Sequence, residues 1–530
     1  MPKVIGIGKQ RYDRIIENNL FYIDKTMFIK EWWENQDDVT LITRPRRFGK
    51  TLNMDMLKCF FSNEYKDRGD LFEGLDIWKE EKYREIQGTY PVIFLSFAKI
   101  KQNTYEDAIA GIKRIICDEI QKYIFLKDWD GLSDEEKNNL KNITYGMDDV
   151  TAQEAIASLS NYLSRYYGKN VIILLDEYDT PMQEAYVNGY WEELVSFTRS
   201  FFNATFKSNL YLERAVITGI TRVSKESMFS DLNNLVVITT SSKDYAIAFG
   251  FTEEEVFHAL DEYGLSDKKC DVKEWYDGFT FGNQKDIYNP WSIINFLENK
   301  KIDTYWADTS SNSLINHLIK KSVPEIKELM ELLLKRESIE VTFDDQIVFN
   351  QLDKSKNAIW SLLVASGYLK IDDIEYKGLL LKPWYHISIT NLETVSMFAN
   401  MFAGWFENPD ARYNDFIKSL LNNDLKGMNY YMNKVALATF SYFDTGKNPS
   451  ETLEPERFYH GFVLGLIVEL SDRYEVKSNR ESGFGRYDVM IIPLNKSEKA
   501  IVLEFKVHEN DEEKTLEETV SSALAQIEEK

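Results

Sequence analysis

Residues 39–57 read VTLITRPRRFGKTLNMDML, and the rest of the chain is interpreted outward from them. Val39 to Thr43 have strong strand propensity and run into a basic loop ending in Gly49-Lys50-Thr51. Leu52, Met56 and Phe60 then recur four apart, which is helical spacing. Strand, Gly-Lys-Thr loop and helix together form the layout of a phosphate-binding loop. The first N–H groups of a helix lack intrahelical partners, so with the helix dipole they make an anion site. In that site Lys50 supplies a flexible cation for the β- and γ-phosphates, and Thr51 a hydroxyl for Mg²⁺. The pattern departs from G-x-x-x-x-G-K-[ST] at its first position, where Arg44 replaces glycine. A non-glycine residue adopts left-handed backbone angles only at a cost, so this loop must turn elsewhere. A G-K-T by itself also fits the start of a surface helix.

At 530 residues the chain has room for two to four domains. Its apolar fraction of 44% includes no run long enough to span a bilayer. The start, MPKVIGIGKQRYDR, lacks the apolar core of a signal peptide. Cys59, Cys117 and Cys270 stand far apart, which with five histidines argues against structural zinc and for a reducing, cytoplasmic setting. A net charge of −23 excludes a protein coated in nucleic acid, although a local basic groove is compatible with it.

Aromatic residues crowd 11–36 (Tyr12, Phe21, Tyr22, Phe28, Trp32); they fit either packing beneath the loop strand or lying against an adenine. VIFLSF (92–97) is a second buried strand. VIILLDEYDTP (171–181) reads as a central parallel strand ending in Asp176-Glu177. Ligands of such sheets bind at the strands' carboxyl ends. Asp176 is therefore expected beside Mg²⁺ and Glu177 as the group that orients and deprotonates a water. Solvated acids at a strand end are the alternative. RAVITGI (214–220) places Thr218 where a γ-phosphate could be sensed, and Arg222 either stabilises developing charge or simply turns the chain. LVVIT (235–239) completes a five-stranded sheet.

FTEEEVFHALDEYGL opens with a capping box, Thr252 and Glu255. Helices are expected at 314–337, 356–366, 391–407 and 411–436, with a hairpin over 367–389; this middle third carries no legible chemistry beyond lid and connector. Towards the C-terminus, strands are expected at 474–479, 486–493 and 500–507. Alternate side chains of a strand share a face, so Glu504 and Lys506 point the same way. If the strand carrying Asp488 pairs beside them, two carboxylates and an ammonium converge. Two hard oxygen ligands suit Mg²⁺ or Mn²⁺, and the lysine would stabilise charge on a phosphorane-like centre. Alternating surface charges would give the same pattern. From 473 to 506 there are seven Lys/Arg against five Asp/Glu, a local excess of two in an acidic chain. Phosphate backbones require such basicity.

FYIDKT, RPRRFGKT, LLDEYDTP, TGITR, FGFTEEEV, WYDGF with IYNPWS, and YWADTSSN together resemble the bacterial AAA-ATPase-like family. SNRESGFGRYDVMIIP and IVLEFKV resemble the PD-(D/E)XK nuclease superfamily domain that follows it. The likeness spans most of the chain and is weakest over 320–400 and 408–450. It implies ATP at Gly49, Lys50 and Thr51, with Arg44, Arg47 and Phe48 beside the phosphates. It implies Mg²⁺ and water activation at Asp176 and Glu177, and a nuclease motif at Asp488, Glu504 and Lys506. Glu456 or Glu469 would add a ligand and Gln526 a helix glutamine, with Lys530 ending the chain where a tyrosine would follow and so implying a longer core.

The expected fold is α/β: a P-loop NTPase parallel sheet with helices on both faces, a helical middle region, and a small C-terminal α/β restriction-endonuclease-like domain. The boundaries are 1–248, 249–400 and 401–530, with the nuclease core at about 455–530. Two functions are compatible with this reading. One is an ATPase gating a Mg²⁺-dependent nuclease that acts on DNA in preference to RNA; the other is a nucleotide-dependent switch whose nuclease fold only holds nucleic acid or a partner. No membrane partner is expected, and a homo-oligomer is open.

Overall fold

A computed structural model describes residues 2–221, 229, 232–307, 315, 318–319, 324–334, 336–343, 357–404, 413–440, 463, 467, 470, 473–478, 481–482, 485–486, 488–495, 498–504 and 515–528. Two compact units result: 1–318 with 338–394, and 319–337 with 395–530.

The first unit is built on a five-stranded sheet, β1 (Val39–Thr43), β2 (Val92–Ser96), β3 (Val171–Asp176), β4 (Leu212–Gly219) and β5 (Leu235–Ile238). Its order is β2-β3-β4-β1-β5 and every pairing is parallel. β1 and β3 are buried at every residue, as their unbroken apolar runs anticipate. Ile172 and Leu174 pack with Ile42 on one face, against Met54, Leu57 and Phe60 of the helix Lys50–Phe61 and against Tyr12, Phe28 and Trp32. The aromatic segment 11–36 therefore lies beneath the loop strand. Ile173 and Leu175 alternate to the other face, the side taken by the helices Tyr105–Gln121, Asp149–Tyr167 and Trp191–Phe202.

β4 lies between the loop strand and the strand carrying Asp176. Register sets Thr218 beside Ile42 and Gly219 beside Thr43, so the end of β4 stands between loop and carboxylate.

Beyond the sheet, the capping box of Thr252 and Glu255 forms in full. A three-stranded sheet of Phe251–Thr252, Phe279–Phe281 and Gln284–Tyr288 follows, then the helix Pro290–Asn299. The hairpin Leu369–Lys377/Lys382–Ile389 forms within the expected 367–389. Residues 249–318 and 338–394 belong to the same compact unit as the parallel sheet.

In the second unit the helix expected over 411–436 is two, Tyr413–Leu421 and Leu425–Phe440. Asn423 adopts φ 58°, and the Asp424 carboxylate accepts from Gly427 N–H, so the Asn-Asn-Asp run ends one helix and starts the next. Tyr474–Ser478, Val489–Pro493 and Ile501–Leu503 form an antiparallel sheet. Val489 and Ile491 pack from it onto Phe416, Leu420, Ile467 and Leu470.

Candidate functional sites

The phosphate-type loop turns at two left-handed residues, Arg47 (φ 66°) and Gly49 (φ 80°), rather than at its first position. Gly49 is the N-cap of Lys50–Phe61. A β-carbon added there would meet nothing within 4 Å, so the backbone angle, not crowding, requires glycine. The mouth of the loop is open at that point.

Arg44 is put to a different use from the expected phosphate contact. Fully buried, it donates to the carbonyls of Thr43 (2.9 Å), Thr239 (2.8 Å), Asp244 (3.4 Å) and Tyr245 (3.4 Å). Its guanidinium lies 4.6 Å from the Phe281 ring centroid. Burial pulls its pKa down to about 9. Arg44 thus ties the loop to the segment after β5, fixing by side chain what a glycine loop achieves by tight backbone. Phe48, expected beside the phosphates, is buried against Phe279 (4.7 Å) and Phe281 (5.4 Å). Arg47 is exposed, and its guanidinium lies over Trp291 at 4.4 Å. These aromatic partners, Phe279, Phe281 and Trp291, lie in and around the WYDGF and IYNPWS motifs, to which the sequence assigned no contact with the loop.

Lys50 is buried at the head of the helix, its ammonium donating to the carbonyls of Arg44 (2.9 Å) and Pro45 (2.8 Å). Desolvation lowers its pKa, and the charges of Glu177, Asp179 and Asp176 oppose that shift. Asp176, fully buried, is held through both oxygens: Thr51 Oγ1 donates at 2.8 Å and Thr218 Oγ1 at 2.7 Å. Burial raises its pKa and those two hydroxyls pull it back. Three residues from three separate segments are thereby joined at the carboxyl end of the sheet. Glu177 sits at φ 50°, an uncommon angle for glutamate, and accepts from Thr180 Oγ1 at 3.1 Å. Such departures cluster at functional sites.

Asp179 was not singled out by sequence. Its Oδ2 accepts from Ile220 N, Thr221 N and Thr221 Oγ1, each at 2.9 Å, and from Gln183 Nε2 at 3.1 Å. It ties the turn after β3 to the turn after β4. A β-carbon on Gly219 would come within 2.7 Å of Asp179 Oδ1 and of Tyr178, so glycine is needed for this close approach. The second aspartate of DEYD was the available signal, with nothing to distinguish its job from that of Asp176. Arg222 lies outside the described residues.

In the second unit the pairing Val489↔Leu503 puts Asp488 opposite Glu504. Asp488 N–H donates to Glu504 Oε2 at 3.4 Å, and both residues are half-buried. The two residues therefore face each other across the pairing, with the contact made by the Asp488 backbone. Lys506, Glu456 and Glu469 lie outside the described residues; Gln526 falls on the helix Leu516–Glu528, with its side chain outside them.

The donor sets fit a divalent ion at both places: a threonine hydroxyl with a carboxylate at Thr51 and Asp176, and two carboxylates at Asp488 and Glu504. Two other acidic groups, Glu253/Asp277/Asp286 and Glu340/Glu375/His386, already close on Lys273 and Lys377 respectively.

Comparison with known proteins agrees with this division. Residues 6–229 match the AAA-ATPase-like family, described as a predicted AAA-ATPase. Residues 454–530 match the PD-(D/E)XK nuclease superfamily. A protein of Azotobacter chroococcum described as an uncharacterized protein in the vnfD 5′ region is 25% identical over 506 residues, covering 92% of this chain and 87% of its own length. Together the two family matches support a nucleotide-binding protein with a nuclease-like domain. Among the described residues no helix is long and apolar enough to cross a membrane.

Proposed function

We propose that the first unit binds and hydrolyses ATP and that its nucleotide state governs a Mg²⁺-dependent phosphodiesterase in the C-terminal domain, acting on DNA in a reducing, cytoplasmic setting. The observation that carries this reading is the junction Thr51–Asp176–Thr218, which joins the loop helix to the ends of β3 and β4.

Each residue has a role in that scheme. Gly49 and the first helical N–H groups receive phosphate oxygens, and Lys50 adds its charge. Thr51 and Asp176 would hold the divalent ion, which when bound neutralises phosphate charge. Glu177 orients a water and takes its proton. Thr218 stands between loop and carboxylate, where it can register whether the terminal phosphate is present. In the C-terminal domain Asp488 and Glu504 would hold Mg²⁺ or Mn²⁺, and Lys506, two positions after Glu504 in the sequence, would offset charge on the phosphodiester.

The test is one assay on three proteins. Wild type, Lys50→Ala and Lys506→Ala are given Mg²⁺ and plasmid or single-stranded DNA, with and without ATP. Wild type should cleave, Lys506→Ala should turn over ATP without cleaving, and Lys50→Ala should lose the ATP dependence. Cleavage unchanged in Lys506→Ala removes the nuclease assignment. ATP-dependent DNA binding without cleavage under any metal leaves a nucleotide-controlled binding protein instead.

A further inference from the structure

We infer that Arg46, the third residue of the loop, is the arginine that meets the terminal phosphate of the bound nucleotide from within the same chain. This rests on the nucleotide reading above and assigns to one residue a role that neither Arg44 nor Arg47 can fill.

The loop holds three arginines with three environments. Arg44 is enclosed and saturated by carbonyls. Arg47 is committed to the face of Trp291. Arg46 is half-buried, and its guanidinium donates through Nη2 to Gln183 Oε1 at a long 3.4 Å. Among the described residues it makes no ion pair. Its backbone is pinned, since Asn289, itself buried as N-cap of the helix Pro290–Asn299, donates from Nδ2 to Arg46 O at 3.3 Å. A fixed backbone with an uncommitted guanidinium is a pre-positioned donor.

Its location decides what it can donate to. Arg46 lines a shallow open cleft together with Gln183, Ile220 and Thr221. Gln183 lies on the helix that follows Glu177, and Ile220 and Thr221 directly follow β4. One wall of the cleft is thus the turn after β4, which Asp179 ties to the turn after β3; the other wall is Trp306, Leu362 and Tyr368. Arg46 is also close enough for its charge to act on Lys50, against the pull of Glu177, Asp179 and Asp176. Lys50 and Arg46 approach one anchored anion from two sides, which relieves their mutual repulsion.

The reaction supplies the need for such a cation. The water oxygen bonds to the terminal phosphorus as the bond from that phosphorus to the β–γ bridging oxygen breaks. The electron pair stays on the nucleoside diphosphate, and the water's proton passes to Glu177. Charge builds on the equatorial and bridging oxygens, and an arginine there is worth 10³–10⁵ in turnover where it has been measured. Because Arg46 belongs to the loop itself, turnover per chain should not depend on association with a second copy.

The experiment measures binding as well as turnover. Purified wild type, Arg46→Ala, Arg46→Lys, Arg222→Ala and Lys50→Ala are compared for ADP and ATP affinity, for trapping of ADP with aluminium fluoride, and for ATP turnover from low to high protein concentration. Arg46→Ala should bind ADP within about twofold of wild type, lose trapping, and turn over at least about 100-fold more slowly. Arg46→Lys should recover only part, because a point charge cannot bridge two oxygens. Wild-type turnover per chain should stay constant with concentration. Normal trapping and turnover in Arg46→Ala overturn the assignment, as does loss of trapping in Arg222→Ala alone or turnover that rises with concentration. If wild type binds neither nucleotide and Lys50→Ala changes nothing, the nucleotide reading itself falls, a different result from an inert Arg46.

Discussion

The two carboxylate centres are built on opposite plans. In the first unit Asp176 is fully buried and both its oxygens are engaged, while Asp179 next to it accepts four hydrogen bonds. In the second, Asp488 and Glu504 are half-buried at the end of a short antiparallel pairing, where Asp488 N–H donates to Glu504 Oε2 at 3.4 Å. A buried parallel sheet can hold charged groups in fixed positions because desolvation makes every unmade hydrogen bond costly. Groups at the half-exposed end of an antiparallel pairing keep part of their contact with solvent, so their burial cost is smaller. The first site is closed off from solvent, and the second stays partly open to it.

The strongest way to break this contrast is at the second site. Glu504→Gln should abolish DNA cleavage by about 10³-fold or more, since one charged ligand of the ion is lost, while ATP turnover and melting temperature stay at wild-type values. A large drop in stability would mean the pair is structural. Lys50→Ala comes next: ATP affinity and turnover should fall by about 10²-fold, read by nucleotide binding. Unchanged affinity would show that the helix terminus alone holds the phosphates.

A smaller effect tests the closed packing of the first site. Gly219→Ala forces a methyl against Asp179 and Tyr178 and should cost about 2 kcal/mol, read as a lower denaturation midpoint of the first unit. An unchanged midpoint would mean that the turn after β4 yields easily.

The smallest effect concerns pH. Glu393 is fully buried, accepts from Ser292 Oγ (2.8 Å) and from the N–H groups of Tyr305 and Trp306 (2.6 Å each), and is pushed up to about 7 by desolvation. A carboxyl whose folded pKa exceeds its unfolded value holds its proton longer in the folded state. Stability is therefore greatest below the ordinary carboxylate range, falls as pH rises towards about 7, and is level above. Melting temperatures from pH 5 to 8 should fall less steeply in Glu393→Gln than in wild type. Asp277, also raised to about 7 by burial, leaves a residual slope in both. Parallel slopes would show that Glu393 does not titrate in this window.

Much of the architecture was legible because it is local. Five apolar runs became the five parallel strands and the Thr252/Glu255 box formed, whereas the register that sets Asp488 opposite Glu504 is a property of two strands together. The single helix expected over 411–436 failed at a local signal too, the Asn-Asn-Asp turn, which a helical period read at coarse scale overlooks.

What the amino-acid order determined by itself was the strand–loop–helix unit, the acids at the end of β3 and the family of both domains, since these depend on neighbours within a few residues. What only tertiary structure decided was the fate of the loop's side chains. Arg44, Arg46, Arg47 and Phe48 lie within five residues and three of them are chemically alike, yet one arginine is sealed by carbonyls at 239–245, one opens on Gln183, one covers Trp291, and Phe48 is packed against Phe279 and Phe281. Their partners lie some 130 to 240 residues away, and a residue's environment is set by those partners rather than by its neighbours in sequence.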